Sequence, residues 1–337
     1  MWLHWTPPVW RGSVPFEIGL FFFLTLTGFL ITRILLHERT AAGHRGGKWR
    51  VKTYLHFQKR RLMRILVPCY AAMLFAILVG APDIRQHWPA YFGHWSNFHM
   101  AFLDKWPSGT AHYWTLAVQI QFYLIWPLVV FLSPRKLLGP VFLTFVTLGP
   151  LSRMILAQRF PEIHHSEAIT ATAMDYFGVG ALLALALERG MKAGDRRLKW
   201  AAWIALAGYV LLYTSNEVGR PLNGFCYLQQ TLVSVVFAGL ISASLAGFGG
   251  IREKILDHPA VQHVGRLSFG LYLFHTPVPL FLGHVLPWLW LLTGPWQVLR
   301  LAVFGLTSWG LAWLCWRYLE TRTVHSNKHG AAGSPGR

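Results

Sequence analysis

Charged residues are scarce in this sequence. Only 13% of the 337 residues are charged, whereas hydrophobic residues make up 54%. A soluble domain normally carries about a quarter charged residues, so this composition excludes an ordinary soluble protein. The long apolar runs recur from one end to the other, and they are too evenly apolar for barrel strands, which alternate their faces. The composition therefore predicts an all-α fold, a polytopic transmembrane helical bundle.

Acidic residues are the rarer of the two charged classes. The sequence holds 31 Lys and Arg residues against 13 Asp and Glu residues, a net charge of +18. Such an excess can indicate nucleic-acid binding, but in a membrane protein it is more typical of basic loops kept on the cytoplasmic side. We therefore expect a lipid bilayer rather than a nucleic acid as the partner, and a multi-pass position in the inner (plasma) membrane.

Cysteine is nearly absent. Cys69, Cys226 and Cys315 are scattered along the chain, with no CxxC pair and no metal-ligand spacing. We interpret them as packing residues and predict neither a metal site nor a tightly bound cofactor.

Long apolar runs are what the sequence has in abundance. A spanning helix needs about 20 apolar residues, and nine segments approach this length. No linker long enough to separate domains is found, so residues 1–323 are predicted to form one transmembrane domain. The polar, Gly-rich residues 324–337 are predicted to be a disordered cytoplasmic tail. The nine predicted spans are residues 16–37, 62–80, 113–132, 138–157, 172–188, 198–214, 226–247, 267–290 and 297–317.

The basic residues set the predicted orientation. With the 33–64 connection in the cytoplasm, most of the 31 Lys and Arg residues lie inside. The 81–112 segment, which is too polar to span, then lies outside. Its histidines His87, His94 and His99 lack a recognisable ligand spacing and are predicted to be interfacial. This topology starts outside and has an odd number of spans, so we expect a further helix upstream of the sequence.

Polar residues inside apolar runs are functional candidates, because burying them in lipid is costly. Asp175 lies in ATAMDYFGVGALLALALER and either acts in a site or bonds helices together. His275 lies mid-span in GRLSFGLYLFHTPV and either cross-links helices or lines a cavity. Pro277 is expected to free the carbonyl of residue 273 and to bend the helix.

Two further polar pairs lie on predicted helices. Arg61 and Arg64 share a face at i, i+3 in QKRRLMRILVP, just before a span. They either anchor the helix at the cytoplasmic surface or bind the phosphates of a donor. Gln119 and Gln121 lie near the middle of HYWTLAVQIQFYLIWPL and need partners in the bundle interior.

Five fragments together resemble acyltransferase family 3, a family of integral membrane proteins. GLFFFLTLTGFLITRILLHER is similar to the family stretch GVDLFFVLSGFLITRILL, and KRRLMRILVP to its RxxR loop. HYWTLAVQIQFYLIWPL resembles WSLSVEEQFYLLWPL, MDYFGVGALLA resembles DxFxxGxLLA, and GRLSFGLYLFHTPV resembles GxxSYGIYLWHxP. The fragments follow the family order over nearly the whole chain. Members of the family O-acylate surface polysaccharides, lipopolysaccharide, peptidoglycan, Nod factors and some antibiotics.

The resemblance implies an O-acyltransferase that uses cytoplasmic acyl-CoA, usually acetyl-CoA, as co-substrate. The acceptor would be a hydroxyl of an outer glycan or a related molecule. By position, His4 matches the catalytic histidine of the family, acting as a general base or as a nucleophile that carries the acyl group. Asp175 would orient its imidazole. The donor- and substrate-binding residues implied are Arg61, Arg64, Gln119, Gln121, Tyr123 and His275.

The chain departs from the family pattern at three places. Gln119 and Ile120 replace the usual Glu-Glu pair, and Phe21 replaces an Asp for which Glu17, one turn earlier, is a candidate substitute. The first helix of the family is nearly absent ahead of His4, so we expect ten spans in the intact family and nine here. Two alternatives follow, a polytopic transporter of a polar or lipid-linked substrate and a catalytically inactive family member.

Overall fold

The structure, a computed structural model, describes Trp5 and residues 18–41, 49–217 and 224–321. Every regular element in these ranges is a helix. The predicted all-α membrane bundle is therefore confirmed.

Three predicted features, His4, Glu17 and the tail 324–337, lie outside the described residues. The α-helices of the described ranges are numbered in chain order. They are α1 Ile18–Ala41, α2 Trp49–Leu78, α3 Pro82–Gln86, α4 Trp88–Phe92, α5 Ser96–Ala101, α6 Trp114–Leu132, α7 Leu138–Arg159, α8 Met174–Glu188, α9 Arg196–Glu217, α10 Gln229–Ala246, α11 Gly250–Leu256, α12 Pro259–Phe274, α13 Pro277–Val285 and α14 Gln297–Cys315.

Seven of these helices, counted with the short 3₁₀ or π turns that adjoin them, are long and apolar enough to cross a membrane in the described part of the chain. They are α1, α2, α6, α7, α8, α10 and α14, and they coincide with seven of the predicted spans. Helix α9 covers the predicted 198–214 span with 22 residues but does not reach the apolarity of the other seven. The chain is thus a multi-pass membrane protein, while the count of nine spans stays a prediction.

The predicted span 267–290 is not one helix, because the chain breaks at Thr276 between α12 and α13. Pro277 is the first residue of α13, and it cannot donate a backbone hydrogen bond to the carbonyl of Leu273 one turn back. The hydroxyl of Tyr113 lies 3.2 Å from this carbonyl oxygen and 3.2 Å from that of Ala72, so the two carbonyls share its one proton. The break therefore lies against the start of α6.

The ends of three spanning helices meet on one face of the bundle. The Arg135 guanidinium, just before α7, donates to the Thr40 hydroxyl at 2.8 Å, near the end of α1. The Thr40 hydroxyl in turn donates to the carboxylate of Glu188, at the end of α8, at 3.4 Å. The distribution of basic residues predicts that the connections at these helix ends lie in the cytoplasm. Their contact on one face of the bundle agrees with that topology.

The segment 81–112 lies against the connection between α7 and α8. The backbone N–H of His165 donates to the carbonyl of Ala101 at 3.1 Å, and the Asn97 amide donates to the carbonyl of Ala168 at 3.1 Å. Both stretches are predicted to lie outside. We call residues 81–112, with the short helices α3, α4 and α5, the outer segment.

Glycines bring α1 and α8 into close contact. A Cβ atom on Gly28 would overlap the backbone of Phe177, and one on Gly180 would overlap the backbone of Thr25. Small residues at a helix interface permit such close approach of two backbones. This contact fixes α8, which carries Asp175, against α1.

Candidate active site

A row of buried polar side chains runs along α6 and its preceding turn. His112, Thr115, Gln119 and Tyr123 follow each other at spacings of three, four and four residues, so they share one helix face. All four are buried. At 1.5 Å per residue the row is about 16 Å long, roughly half the thickness of the hydrocarbon layer. The α6 row therefore connects the two faces of the site described below.

One end of the α6 row lies beside the two predicted donor-site arginines. Gln119 Nε2 donates to the Tyr123 hydroxyl at 2.6 Å. Arg61 and Arg64 from α2 are close enough to interact electrostatically with the phenolic oxygen of Tyr123. Arg61 is half-buried and Arg64 is exposed. Arg64 also lies close enough to the Glu320 carboxylate to interact with it electrostatically. The structure thus brings four predicted donor-site residues together, with two cations at this end of the row.

The other end of the α6 row carries two histidines. Thr276 Oγ1 donates to the carbonyl of Gly109 at 2.8 Å and lies 2.6 Å from Nδ1 of His112. Because its proton is given to Gly109, the Thr276 oxygen accepts from His112, which places the His112 proton on Nδ1. His275 Nδ1 lies 2.8 Å from the carbonyl oxygen of Tyr272, which can only accept, so His275 is also protonated on Nδ1.

The same tautomer in both rings has a chemical consequence. The ring centroids of His112 and His275 are 4.6 Å apart, and both side chains are buried. With Nδ1 protonated, each neutral imidazole has its basic lone pair on Nε2. Both rings are therefore held in a fixed orientation by a hydrogen bond at Nδ1.

Trp5 packs beside His275, with ring centroids 6.5 Å apart. Its indole Nε1 donates to the carbonyl of His275 at 2.7 Å, and its ring makes an edge contact with Phe304 at 5.9 Å. Trp5 directly follows His4 in the sequence. His4 lies outside the described residues, so its catalytic assignment stays a prediction.

Asp175 bonds helices together, which is one of the two roles that the sequence left open. Its carboxylate is fully buried and forms an ion pair with Arg153 of α7. The Thr231 hydroxyl of α10 donates to the same carboxylate at 2.5 Å, and Gln230 accepts from Arg153 at 3.0 Å. Asp175 thus holds α7, α8 and α10 together. Its assignment as an orienting residue stays a prediction.

Sequence reasoning missed Arg153 and His112. Arg153 lies inside the apolar run 138–157, and an intramembrane arginine requires a buried anion. Asp175 was the available carboxylate, but no sequence spacing relates the two residues. His112 opens the fragment that carries Gln119, seven residues before it, and helical spacing alone would have placed both on one face.

Gln121 lies away from the α6 row. Its Nε2 donates to the carbonyl of His94 at 2.8 Å and to Oδ1 of Asn97 at 2.9 Å, and its Oε1 accepts from the Thr170 hydroxyl. These bonds use both the NH2 and the carbonyl of the Gln121 side chain, and they tie α6 to the outer segment. They explain how an amide is accommodated in an apolar helix, while a role of Gln121 in substrate binding stays a prediction.

Phe21 occupies a packed position beside Asp175. Its ring stacks on Tyr176 with centroids 5.0 Å apart and planes 13° apart, and the Arg153 guanidinium lies over the same Tyr176 ring at 5.9 Å. The carboxylate that the family carries at this position is therefore replaced by aromatic packing.

Comparison with known proteins gives a consistent set of relatives. The profile of a family described as "Acyltransferase domain" matches residues 2–317. The chain is 25% identical over 336 residues to the peptidoglycan O-acetyltransferase OatA of Listeria monocytogenes, covering 90% of this chain and 50% of that protein. It is 24% identical to the putative peptidoglycan O-acetyltransferase YrhL of Bacillus subtilis, covering 77% of this chain and 44% of that protein.

A third relative is nearer in length to this chain. Nodulation protein 10 of Rhizobium leguminosarum is 26% identical over 339 residues, covering 86% of this chain and 81% of that protein. The chain spans about half the length of the two peptidoglycan relatives. No solved structure matches it.

Proposed function

Because the chain belongs to the acyltransferase domain family, we propose that it transfers an acyl group, most simply acetyl, from acyl-CoA to a hydroxyl of a glycan or related acceptor. The α6 row carries this proposal. It joins the pair Arg61 and Arg64 at one end to a pair of buried histidines, His112 and His275, at the other. A donor with phosphates at one end and a thioester at the other fits such a row.

The arginine end is the proposed donor site. Arg61 and Arg64 would bind phosphates of CoA, because guanidinium groups form charge-assisted bonds with phosphate oxygens. Tyr123 and Gln119 lie directly beyond them along the α6 row. The pantetheine arm would follow this row toward the histidines, so the phosphates and the reacting thioester can lie at opposite ends of the site.

The histidine end is the proposed place of the reaction. A neutral imidazole would take the proton of the acceptor hydroxyl, and the hydroxyl oxygen would attack the thioester carbonyl carbon. The C–S bond then breaks, CoA leaves as the thiolate, and the imidazolium returns the proton to it. The products are an acyl ester and CoA-SH. His4 is the predicted base, and His112 and His275 would orient it or the acceptor, because its neighbour Trp5 packs on His275. An acyl-histidine intermediate on His4 is the alternative route.

The acceptor class comes from the relatives. Two of them are named peptidoglycan O-acetyltransferases, one of these putatively, so a glycan hydroxyl is the first acceptor to test. Because this chain covers only part of those proteins, the acceptor remains a proposal on the level of chemical class.

The test uses the purified full chain in proteoliposomes with radiolabelled acetyl-CoA and a chito-oligosaccharide as acceptor probe. We expect labelled acetyl ester and CoA-SH in equal amounts, and a loss of at least about tenfold in rate for His112→Gln or His275→Gln. Arg60→Ala is the control, since Arg60 forms a surface pair with Glu38 at 3.0 Å. Acetyl-CoA binding without any acetyl transfer would contradict the proposal and favour an inactive family member.

A further inference from the structure

Three potential metal ligands converge in the outer segment, away from the α6 row. Asp83 lies in α3, His87 follows that helix, and His99 lies in α5. Their ligand atoms all lie within 4.8 Å of one another. The sequence predicts no metal site here, because the spacing of these residues matches no recognisable ligand pattern. The fold of the outer segment supplies the convergence that the spacing does not.

The distances approach those of a tetrahedral site. Asp83 Oδ1 lies 3.2 Å from His87 Nδ1 and 3.1 Å from His99 Nε2. Bonds of about 2.0–2.2 Å to a tetrahedral ion separate neighbouring ligand atoms by about 3.3 Å. The two oxygen–nitrogen separations thus need to change by only a few tenths of an ångström. The two histidine nitrogens lie within 4.8 Å of each other and need to come closer, and His87, whose side chain is 45% exposed, is the less enclosed of the two.

The carboxylate is held by a neutral donor rather than by a cation. The Tyr91 hydroxyl donates to Asp83 Oδ2 at 2.5 Å and lies 3.0 Å from the Thr110 hydroxyl. In the described ranges Asp83 forms no salt bridge with Arg or Lys. Nearby Arg85 donates instead to the carbonyl of Ile77 at 2.8 Å. The negative charge is therefore left for an ion, and Tyr91 has the role of an outer partner that orients a ligating carboxylate.

From this geometry we propose that Asp83, His87 and His99 bind one divalent transition-metal ion, with Zn²⁺ as the expected ion. Two imidazoles and a carboxylate are a common zinc ligand set, and water would complete the tetrahedron on the exposed side of His87. The ion would hold α3 and α5 together. Through Tyr91 and Thr110 it would also stiffen the chain that leads directly into His112. Metal binding is independent of the proposed acyl transfer.

The test is a Zn²⁺ titration of the purified full chain, carried out with a tag that contains no histidine and after removal of bound metal with a chelator. We expect one equivalent of Zn²⁺ to bind and the apparent melting temperature in detergent to rise. His87→Ala and Asp83→Asn should each weaken binding at least about tenfold and abolish the rise. Visible absorption of bound Co²⁺ should report a tetrahedral site in the unmodified protein.

His164→Ala is the matched control, because His164 forms an exposed pair with Asp104 at 3.2 Å and is not part of the cluster. It should bind Zn²⁺ as the unmodified chain does. Of the two ligand substitutions, His87→Ala is expected to disturb folding least, since this side chain is the most exposed of the three ligands. The proposal would be overturned if the unmodified chain and His87→Ala bound Zn²⁺ equally well, or if the unmodified chain showed no stoichiometric binding. Either result would mean that the three residues only form hydrogen bonds with each other.

Discussion

Gln119 donates a hydrogen bond of 2.6 Å to the hydroxyl of Tyr123, one turn further along α6. The bond lies inside the buried α6 row and next to Arg61 and Arg64. The amide nitrogen of Gln119 therefore bonds within the bundle, as a buried polar group in lipid must.

The first prediction concerns this amide. Gln119→Leu should lower the free energy of unfolding by no more than about 0.6 kcal/mol, the average for hydrogen bonds between membrane helices, because its bond to Tyr123 lies within α6. Gln121→Leu should cost more, because it removes three hydrogen bonds. Gln119→Glu should not raise acyl transfer, since we assign the residue a hydrogen-bonding role without charge. Reversible unfolding in mixed micelles and the transfer assay measure both effects. A large gain in transfer by Gln119→Glu at unchanged stability would refute this assignment.

The second prediction concerns the buried ion pair of Asp175 and Arg153. Asp175→Ala or Arg153→Ala should each destabilise the bundle by about 3–5 kcal/mol, because each leaves an uncompensated buried charge. The double variant should cost clearly less than the two losses added together. The same cycle on the exposed pair Glu38 and Arg60 should give at most about 1 kcal/mol. Additive losses at Asp175 and Arg153 would show that the two residues do not act as a pair.

The third prediction concerns acid stability and His94. Burial lowers the pKa of His94 to about 4, whereas an unperturbed histidine titrates near 6.5. The unfolded chain therefore binds more protons than the folded chain between these values. Stability should fall as the pH drops from about 6.5 to 4, by on the order of a few kcal/mol in total.

His94→Asn should flatten this acid slope. The variant removes the imidazole, and asparagine tolerates the positive φ of 56° found at this position. The comparison is made by thermal unfolding across this pH range with a chelator present, so that metal binding does not contribute. His164→Asn, at an exposed position, should leave the slope unchanged. An equally steep loss of stability in His94→Asn would show that other groups cause it.

The fourth prediction concerns topology. Asp104 is exposed in the outer segment, and Lys192 is exposed in the connection that follows α8. In a chain that carries Cys226→Ser, a membrane-impermeant thiol reagent should label Asp104→Cys in intact cells and spare Lys192→Cys. Cys69 and Cys315 are buried and should give little background. Labelling of Lys192→Cys before the membrane is opened would reverse the assigned orientation.

The sequence predicted the parts of the fold that depend on local pattern. Apolar runs predicted the seven spans found. Pro277 predicted a bend within one span, where the structure has a break between α12 and α13. The spacing of Arg61 and Arg64 predicted a shared face, which the structure places beside Gln119 and Tyr123. These properties follow from composition and from the helical period.

Features that depend on contact between distant segments could not be predicted in this way. Arg153 meets Asp175 only because α7 packs on α8. His112 meets His275 only because the chain breaks at Thr276. Asp83 and His99 meet through the path of the outer segment, whose sequence shows no periodic pattern that would predict its fold. In each case the partner is set by tertiary packing, for which a single sequence holds no direct signal.

The most direct test of the central claim is a sided transfer assay in proteoliposomes of known orientation. Labelled acetyl-CoA is supplied only on the face where Arg61 and Arg64 lie, and a chito-oligosaccharide only on the face of the outer segment. We predict that CoA-SH appears on the arginine face and acetyl ester on the other. We also predict that the double variant Arg61→Ala, Arg64→Ala raises the KM for acetyl-CoA more than tenfold, since each charge-assisted contact is worth roughly 1.5–3 kcal/mol, while Arg60→Ala does not. The account would be contradicted by an equal transfer rate with acetyl-CoA on either face of the membrane, or by an unchanged KM for acetyl-CoA in the double variant.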